Sequence, residues 1–338
     1  MADHRTVPIS RLRQMAKLGD IASTTLQAAL KPVRSLGFPY RKPTVPRGVT
    51  VPEPAPSLGA HFDTDWARGG IARVVRRAFV GGPMRAAVQW LASPEVSGTD
   101  RLADLADQDP PPPLIFAPNH HSHVDTPLVI TAVPEPWRSK LVVAAAADYF
   151  FDTRVKGTLA ALALNAIPIE REVTSRASSD QLRRLLDDGW SVVIYPEGGR
   201  SPDGWGQDFK GGAAYLSSRT GAAVVPVFID GTGTIFGKGM KRPRRGRTSV
   251  VFGAPLHAAD DENTRRFNTR IESSVTALGD EALSDWWTAR RRAAAGASPR
   301  LTGPDHQGWR RQWALADRRK LGRAGQRRRQ KRRWPDLG

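Results

Sequence analysis

The sequence predicts an α/β fold: a central, mostly parallel sheet flanked by helices, with an N-terminal amphipathic helical segment and a basic C-terminal tail. Two observations carry this. Between residues 101 and 258 short apolar runs alternate with helical patterns, the mark of strand–helix–strand units. Charge, in contrast, collects at one end. From Arg290 to Gly338 there are 16 Lys/Arg against Asp305, Asp317 and Asp336, so this stretch holds +13 of the chain's +18. The other 289 residues carry only +5, as an ordinary mildly basic globule does.

Taken in order, residues 1–60 read as a flexible Pro-rich region punctuated by Pro43, Pro46, Pro52, Pro54 and Pro56, with one helix over 8–30. Residues 61–100 read as the amphipathic helical segment. Trp66, Ile71, Val74, Val75, Ala78 and Phe79 recur at helical spacing, with Arg68, Arg73, Arg76 and Arg77 largely between them. Gly81-Gly82-Pro83 predicts a break and hence two helices. Their apolar faces would pack on the core or lie on an anionic membrane.

The α/β domain spans 101–290. Strands are expected at 114–117, 141–144, 166–169, 191–195, 224–229 and 248–252. Helices are expected at 125–133, 152–164, 175–188, 208–220 and 261–278. Residues 291–338 form the basic tail, with Trp309, Trp313 and Trp334 among arginines. Such a tail suits anionic headgroups, each basic residue contributing about 1 kcal/mol near the surface. It could also bind nucleic acid, the less favoured expectation.

A spanning helix requires about 20 apolar residues. The longest apolar run near the core, Gly157–Ile169, has thirteen. The N-terminus offers Asp3 and Asp20 rather than an apolar signal core, so the protein is expected in the cytoplasm.

The chemistry concentrates where Leu114-Ile115-Phe116-Ala117 ends at Pro118 and Asn119-His120-His121-Ser122-His123-Val124-Asp125 follows. This is a strand-to-helix turn, and open α/β sheets place their sites at such strand ends. An Asp bonded to one imidazole nitrogen fixes the tautomer and leaves the other nitrogen basic. His120 and Asp125 thus read as a general base and its orienter. The chain has no cysteine, which excludes thiol catalysis, disulfides and thiolate metal sites. No Gly-x-Ser-x-Gly elbow occurs, and Ser122 lies at a poor angle to His120. The nucleophile therefore reads as a substrate hydroxyl.

Three further blocks follow: Asn165-Ala166-Ile167-Pro168-Ile169-Glu170-Arg171, then Tyr195-Pro196-Glu197-Gly198-Gly199-Arg200-Ser201, then Val224-Val225-Pro226-Val227-Phe228-Ile229 after Phe209-Lys210-Gly211-Gly212. With the first block, over about half the chain, this set resembles the glycerolipid acyltransferases, the family of glycerol-3-phosphate and 1-acylglycerol-3-phosphate acyltransferases. Asn165 and Pro168 stand where the family has Gly and Phe, and Gly199 replaces the usual Thr; these departures bear on acceptor choice more than on reaction type.

The resemblance implies that His120, held by Asp125, activates an acceptor hydroxyl against an acyl thioester. It implies no cofactor beyond the acyl-CoA or acyl-carrier-protein donor. The partners it implies are that donor, a lysophospholipid acceptor and the anionic cytoplasmic face of a membrane, met peripherally, in phospholipid synthesis. Arg171 and Arg200 suit bidentate phosphate binding, and Lys210 is a further phosphate candidate. Gly198 and Gly199 let backbone approach a ligand. Glu197 is expected to orient an arginine or the acceptor hydroxyl.

A metal-dependent hydrolase is the alternative. His121-Ser122-His123-Val124-Asp125 resembles the His-x-His-x-Asp-His signature of metallo-β-lactamase-like enzymes, but the last His is Thr126. Of the four other histidines only His257 falls in the expected core, and such sites need several downstream ligands. No metal is expected, and His121 and His123 read as turn or mouth residues.

Overall fold

The computed structural model describes Gly59 and residues 62–170, 176–305, 309–311 and 313–317. The 8–30 helix, the proline cluster at 43–56, Arg171 and the end of the tail lie outside the described residues.

Seven strands form one sheet: β1 (Pro94–Ser97), β2 (Leu114–Pro118), β3 (Leu141–Ala146), β4 (Ala166–Ile169), β5 (Ser191–Val193), β6 (Ala223–Asp230) and β7 (Thr248–Phe252). Their order is β1-β7-β6-β2-β5-β3-β4. The run from β6 to β4 is parallel. β7 joins antiparallel to β6, and β1 lies along β7 at the edge. All six expected strands are present. β1 is additional: Pro94-Glu95-Val96-Ser97 is short and polar, as edge strands are, and gives no period-2 signal.

β2 sits mid-sheet and is buried throughout, because both of its faces are covered. Alternate residues serve opposite layers. Ile115 and Ala117 pack with Leu182, Leu185 and Leu186 of the Arg176–Asp187 helix and Phe267, Ile271 and Val275 of the Thr264–Leu283 helix. Leu114 and Phe116 pack on the other side with Leu128 and Val129 of the Asp125–Ala132 helix and with Val80, Met84 and Val88.

One sequence expectation is corrected. Gly81-Gly82-Pro83 does not separate two helices. Gly70–Phe79 runs on through a π turn at Val80–Met84 into Arg85–Ala92, with helical backbone at both junctions. Pro83 lacks an N–H, and the wider turn absorbs that gap without ending the helix. The face carrying Arg76, Val80, Met84, Val88 and Ala92 is buried. The opposite face is bare: Ile71 is 85% and Val74 70% exposed. Val155 and Leu159, on the neighbouring Arg154–Leu164 helix, are exposed as well. Buried Arg76 donates to the Ala67 carbonyl at 2.8 Å. Burial, then the charges of Arg68 and Arg73, lower its pKa to about 10.

The described part of the expected tail is folded onto the rest. The Trp286–Ala294 helix is tied down by Arg292, whose guanidinium meets Asp280 at 2.6 Å. Leu301 and Leu315 are buried. Among the described residues no helix is long and apolar enough to cross a membrane.

Candidate active site

The site lies where β2 and β5 end. Asn119, the first residue after β2, is wholly buried. Its side-chain amide donates to the Ile229 carbonyl at 2.9 Å and its oxygen accepts the Ile229 N–H at 2.7 Å. That rung extends the β2–β6 pairing by one residue and fixes where the turn begins.

Asp125, the first residue of its helix, is completely buried. Its Oδ2 meets His120 Nδ1 at 2.9 Å and accepts the His121 and Ser122 backbone N–H groups, each at 2.7 Å. Burial alone would raise its pKa. The His120 hydrogen bond and charge outweigh this and hold it below the usual carboxylate range. Neither Asp125 Oδ1 nor the buried Thr232 hydroxyl makes a regular hydrogen bond, yet Thr232 lies near enough to add to that lowering. An ionised Asp125 accepts Nδ1–H, so His120 Nε2 keeps its lone pair.

Ser122 is not a nucleophile in this arrangement. Its Oγ donates to the Phe236 carbonyl at 2.8 Å and accepts the Val124 N–H, which pins the turn.

Glu197 requires a correction of role. It is 3% exposed, and both carboxylate oxygens face backbone amides: His120 N–H at 2.8 Å and Gln207 N–H at 2.9 Å. It therefore orients main chain rather than an arginine. Burial pushes its pKa up to about 8, against the pull of those two amides and with a push from the charges of Asp125 and Glu272.

Gly198 turns the chain at φ +70°. A Cβ there would come within 2.8 Å of Lys210 Nζ, so the Lys210 stem lies against this glycine. Lys210 is exposed, and its backbone N–H is anchored on the Pro196 carbonyl at 2.7 Å. Beside Gly199 there is open space. Gly198, Gly199 and Lys210 thus make one open, basic corner next to the Glu197 brace.

Arg200 hydrogen-bonds Nε2 of His123, and its guanidinium lies 5.6 Å from the centre of the Tyr149 ring. Burial, Arg200 and His120 lower the His123 pKa, which keeps this ring a neutral acceptor. His123 is thus the seat of Arg200, a more definite place than a turn or mouth residue. Among the described residues no cluster of three or more His, Asp or Glu could hold a metal ion.

Sequence reasoning passed over several supports. Tyr195 stacks on His120 at 4.0 Å between ring centres, and its hydroxyl meets Thr126 at 3.0 Å. Burial, then the nearby Asp125 charge, raise its pKa, so it stays a neutral phenol. Its signal was available, since an aromatic opens the third block. Ser201 closes the same block, whereas Gln207 and Thr232 gave no signal, because their partners are brought in by tertiary structure.

Residues 94–230 match the Acyltransferase family. A chloroplast 1-acyl-sn-glycerol-3-phosphate acyltransferase of Arabidopsis thaliana is 37% identical over 100 residues, 28% of this chain and 28% of that protein. A 1-acyl-sn-glycerol-3-phosphate acyltransferase of Cocos nucifera is 29% identical over 161 residues, 47% of this chain and 50% of that one. Residues 94–230 are thus similar to the acyltransferases of glycerolipid synthesis. It spans half or less of the length of these two relatives. A crystal structure of the 1-acyl-sn-glycerophosphate acyltransferase of Thermotoga maritima is similar over 63% of this chain and 80% of that one, with a TM-score of 0.46 and 21% identity.

Proposed function

We propose that this protein transfers a fatty acyl group from a thioester to the free hydroxyl of a lysophosphatidate-type acceptor, as a 1-acyl-sn-glycerol-3-phosphate O-acyltransferase or close relative. The observation that carries this reading is the 2.9 Å pairing of His120 Nδ1 with the buried Asp125 carboxylate at the end of β2. Nε2 takes the acceptor proton as the hydroxyl oxygen bonds to the thioester carbonyl carbon. The tetrahedral adduct collapses, the C–S bond breaks, and the imidazolium returns its proton to the leaving thiolate. No covalent enzyme intermediate is needed, which suits a chain without cysteine whose nearby Ser122 hydroxyl is already engaged. Proton transfer of this kind supplies roughly 10²–10⁴-fold. Positioning of two bound substrates supplies the greater part of the rest.

Arg200 and Lys210, with Arg171, take the phosphate of the acceptor in this proposal, and Gly198 and Gly199 let it approach the main chain. The donor is acyl-CoA or acyl carrier protein. The bare face of the Gly70–Phe79 helix, rimmed by Arg73 and Arg77, meets an anionic membrane peripherally at its cytoplasmic face, helped by the basic tail. This arrangement serves phospholipid synthesis.

The test is an acceptor panel offered to purified protein with radiolabelled acyl-CoA. Transfer to lysophosphatidate, unaffected by EDTA, is expected. Absence of transfer to every acceptor, or a rate that depends on zinc, contradicts the proposal.

A further inference from the structure

We propose that the C-terminal arm carrying Leu301, Gly303 and Arg311 is a clasp that holds the loop behind His120 and so sets the alignment of the general base. The proposal rests on the acyl-transfer reading of His120 given above. It concerns residues far outside the family-matching stretch, which ends at 230.

The loop Ser201–Gln207 is bonded to the site on one side. Ser201 N–H donates to the His120 carbonyl at 2.9 Å. Gln207 N–H donates to Glu197 at 2.9 Å, and the other oxygen of that carboxylate holds the His120 N–H. The Gln207 side chain donates to the Gly199 carbonyl at 3.0 Å. Both main-chain polar groups of His120 are therefore held by this network.

The same loop is bonded to the arm on its other side. Gly206 N–H donates to the Leu301 carbonyl at 2.9 Å, and the Trp205 indole N–H to the Arg311 carbonyl at 3.2 Å. The Arg311 guanidinium pairs with Asp203 and also donates to the Pro304 carbonyl at 2.9 Å, which ties the arm to itself. Trp205 and Leu301 are buried. The Trp205 ring lies against Gly303, where a Cβ would come within 2.4 Å of it, and Gly303 has φ +76°. Only glycine meets both demands.

A loop with two sets of attachments transmits displacement. If the arm is released, Asp203, Trp205 and Gly206 lose their anchors, and the flanking Ser201 and Gln207, which fix the backbone of His120, are left on a looser loop. A shift of 1 Å at a reacting group can cost on the order of 10²-fold in rate. Loss of the clasp should therefore appear more in turnover than in substrate affinity.

The experiment uses the full chain and detergent-dispersed acceptor, with Arg311→Ala and Gly303→Ala as the breaking variants, Arg311→Lys as the conservative one and Arg310→Ala as the control. Arg310 faces solvent beside Trp309. Amide hydrogen exchange over 198–208 is followed together with kcat, KM and thermal stability. The breaking variants should exchange faster over 198–208 and lose roughly 10–100-fold in kcat. Each KM should rise by less than kcat falls, because Gly303 and Arg311 themselves touch no substrate in this reading. Arg311→Lys should fall between, and Arg310→Ala should match wild type. Unchanged exchange in both breaking variants overturns the clasp. Faster exchange with unchanged kcat overturns its role in alignment. If the wild type transfers no acyl group, the acyl-transfer reading fails, while the exchange result still decides whether the arm holds the loop.

Discussion

The two ends of the central sheet differ in kind. At the carboxyl ends of β2 and β5, a buried aspartate and a buried glutamate grip the turn that carries His120, and little of the chemistry lies in the open. At the amino ends of β2, β5 and β6 there is a groove of 670 Å³, lined by Pro110–Pro113, Trp137, Lys140, Asp188 and His257. The groove is roomy, but no described pair of its titratable groups forms a base with an orienter. Volume marks where something could sit, whereas bonded charge marks where a proton can be moved. In open α/β sheets the carboxyl end is the one that carries function.

The largest expected effect breaks the carboxyl end directly. Asp125→Asn replaces an acceptor of three donors with an amide that can offer Nδ1 an N–H instead. It should lower kcat by roughly 10²–10⁴-fold, the scale of losing a poised general base. Circular dichroism on the same samples should show the fold retained.

Glu197→Gln comes next. An amide has one acceptor oxygen for two backbone N–H groups, so one is left unpaired at about 1–3 kcal/mol. The variant should be less stable in urea titrations, and slower. The pH dependence has a definite sign. Glu197 has a folded pKa raised to about 8 from an ordinary 4.5, so burial favours its protonated form. Wild-type stability is therefore highest below the unfolded pKa and falls as pH rises towards 8. Glu197→Gln does not titrate there, so the gap between the two proteins should narrow between pH 5 and pH 8. A gap that widens over that range would contradict the buried-carboxylate account.

Arg200→Ala and Lys210→Ala should mainly harm use of a phosphorylated acceptor, by about 2 kcal/mol in kcat/KM for a partly desolvated phosphate partner. A neutral acceptor should be used almost equally by variant and wild type. Equal losses on both acceptors would make these residues structural. A smaller effect is expected from Val74→Asp on the bare helix face, or from deletion of 323–338. Either should weaken sedimentation with anionic liposomes, and the loss on deleting the tail should shrink as salt shortens the Debye length from about 10 Å at 0.1 M to about 3 Å at 1 M. Turnover of detergent-dispersed acceptor should survive. The smallest effect belongs to the groove: Ser139→Trp, on its exposed rim, should leave kcat/KM within about twofold, as surface changes away from a site do.

Much of the catalytic end was legible because it is local. His120, Asp125 and the turn between them lie within seven residues, and Leu114–Ala117 announces the strand that presents them. The sheet was legible for the same reason, since its central strands are short apolar runs bounded by turn residues. What was not legible depends on residues distant in sequence. Glu197 attracts attention as a charge beside glycines, yet its partners are amides 77 and 10 residues away. The seat of Arg200 on His123 spans 77 residues. Pro83 misleads for a different reason. A proline reads as a helix break from sequence, but a π turn accommodates it when the flanking stripe of Arg76, Val80, Met84 and Val88 is buried as one face.

The central claim is that His120 is the base for acyl transfer to a substrate hydroxyl. Its most direct test is the initial rate of thiol release from acyl-CoA by His120→Ala in the presence of lysophosphatidate, with circular dichroism beside it. The account predicts an unchanged spectrum and a rate lower by roughly 10²–10⁴-fold or more. A folded His120→Ala protein that turns over near the wild-type rate would contradict it.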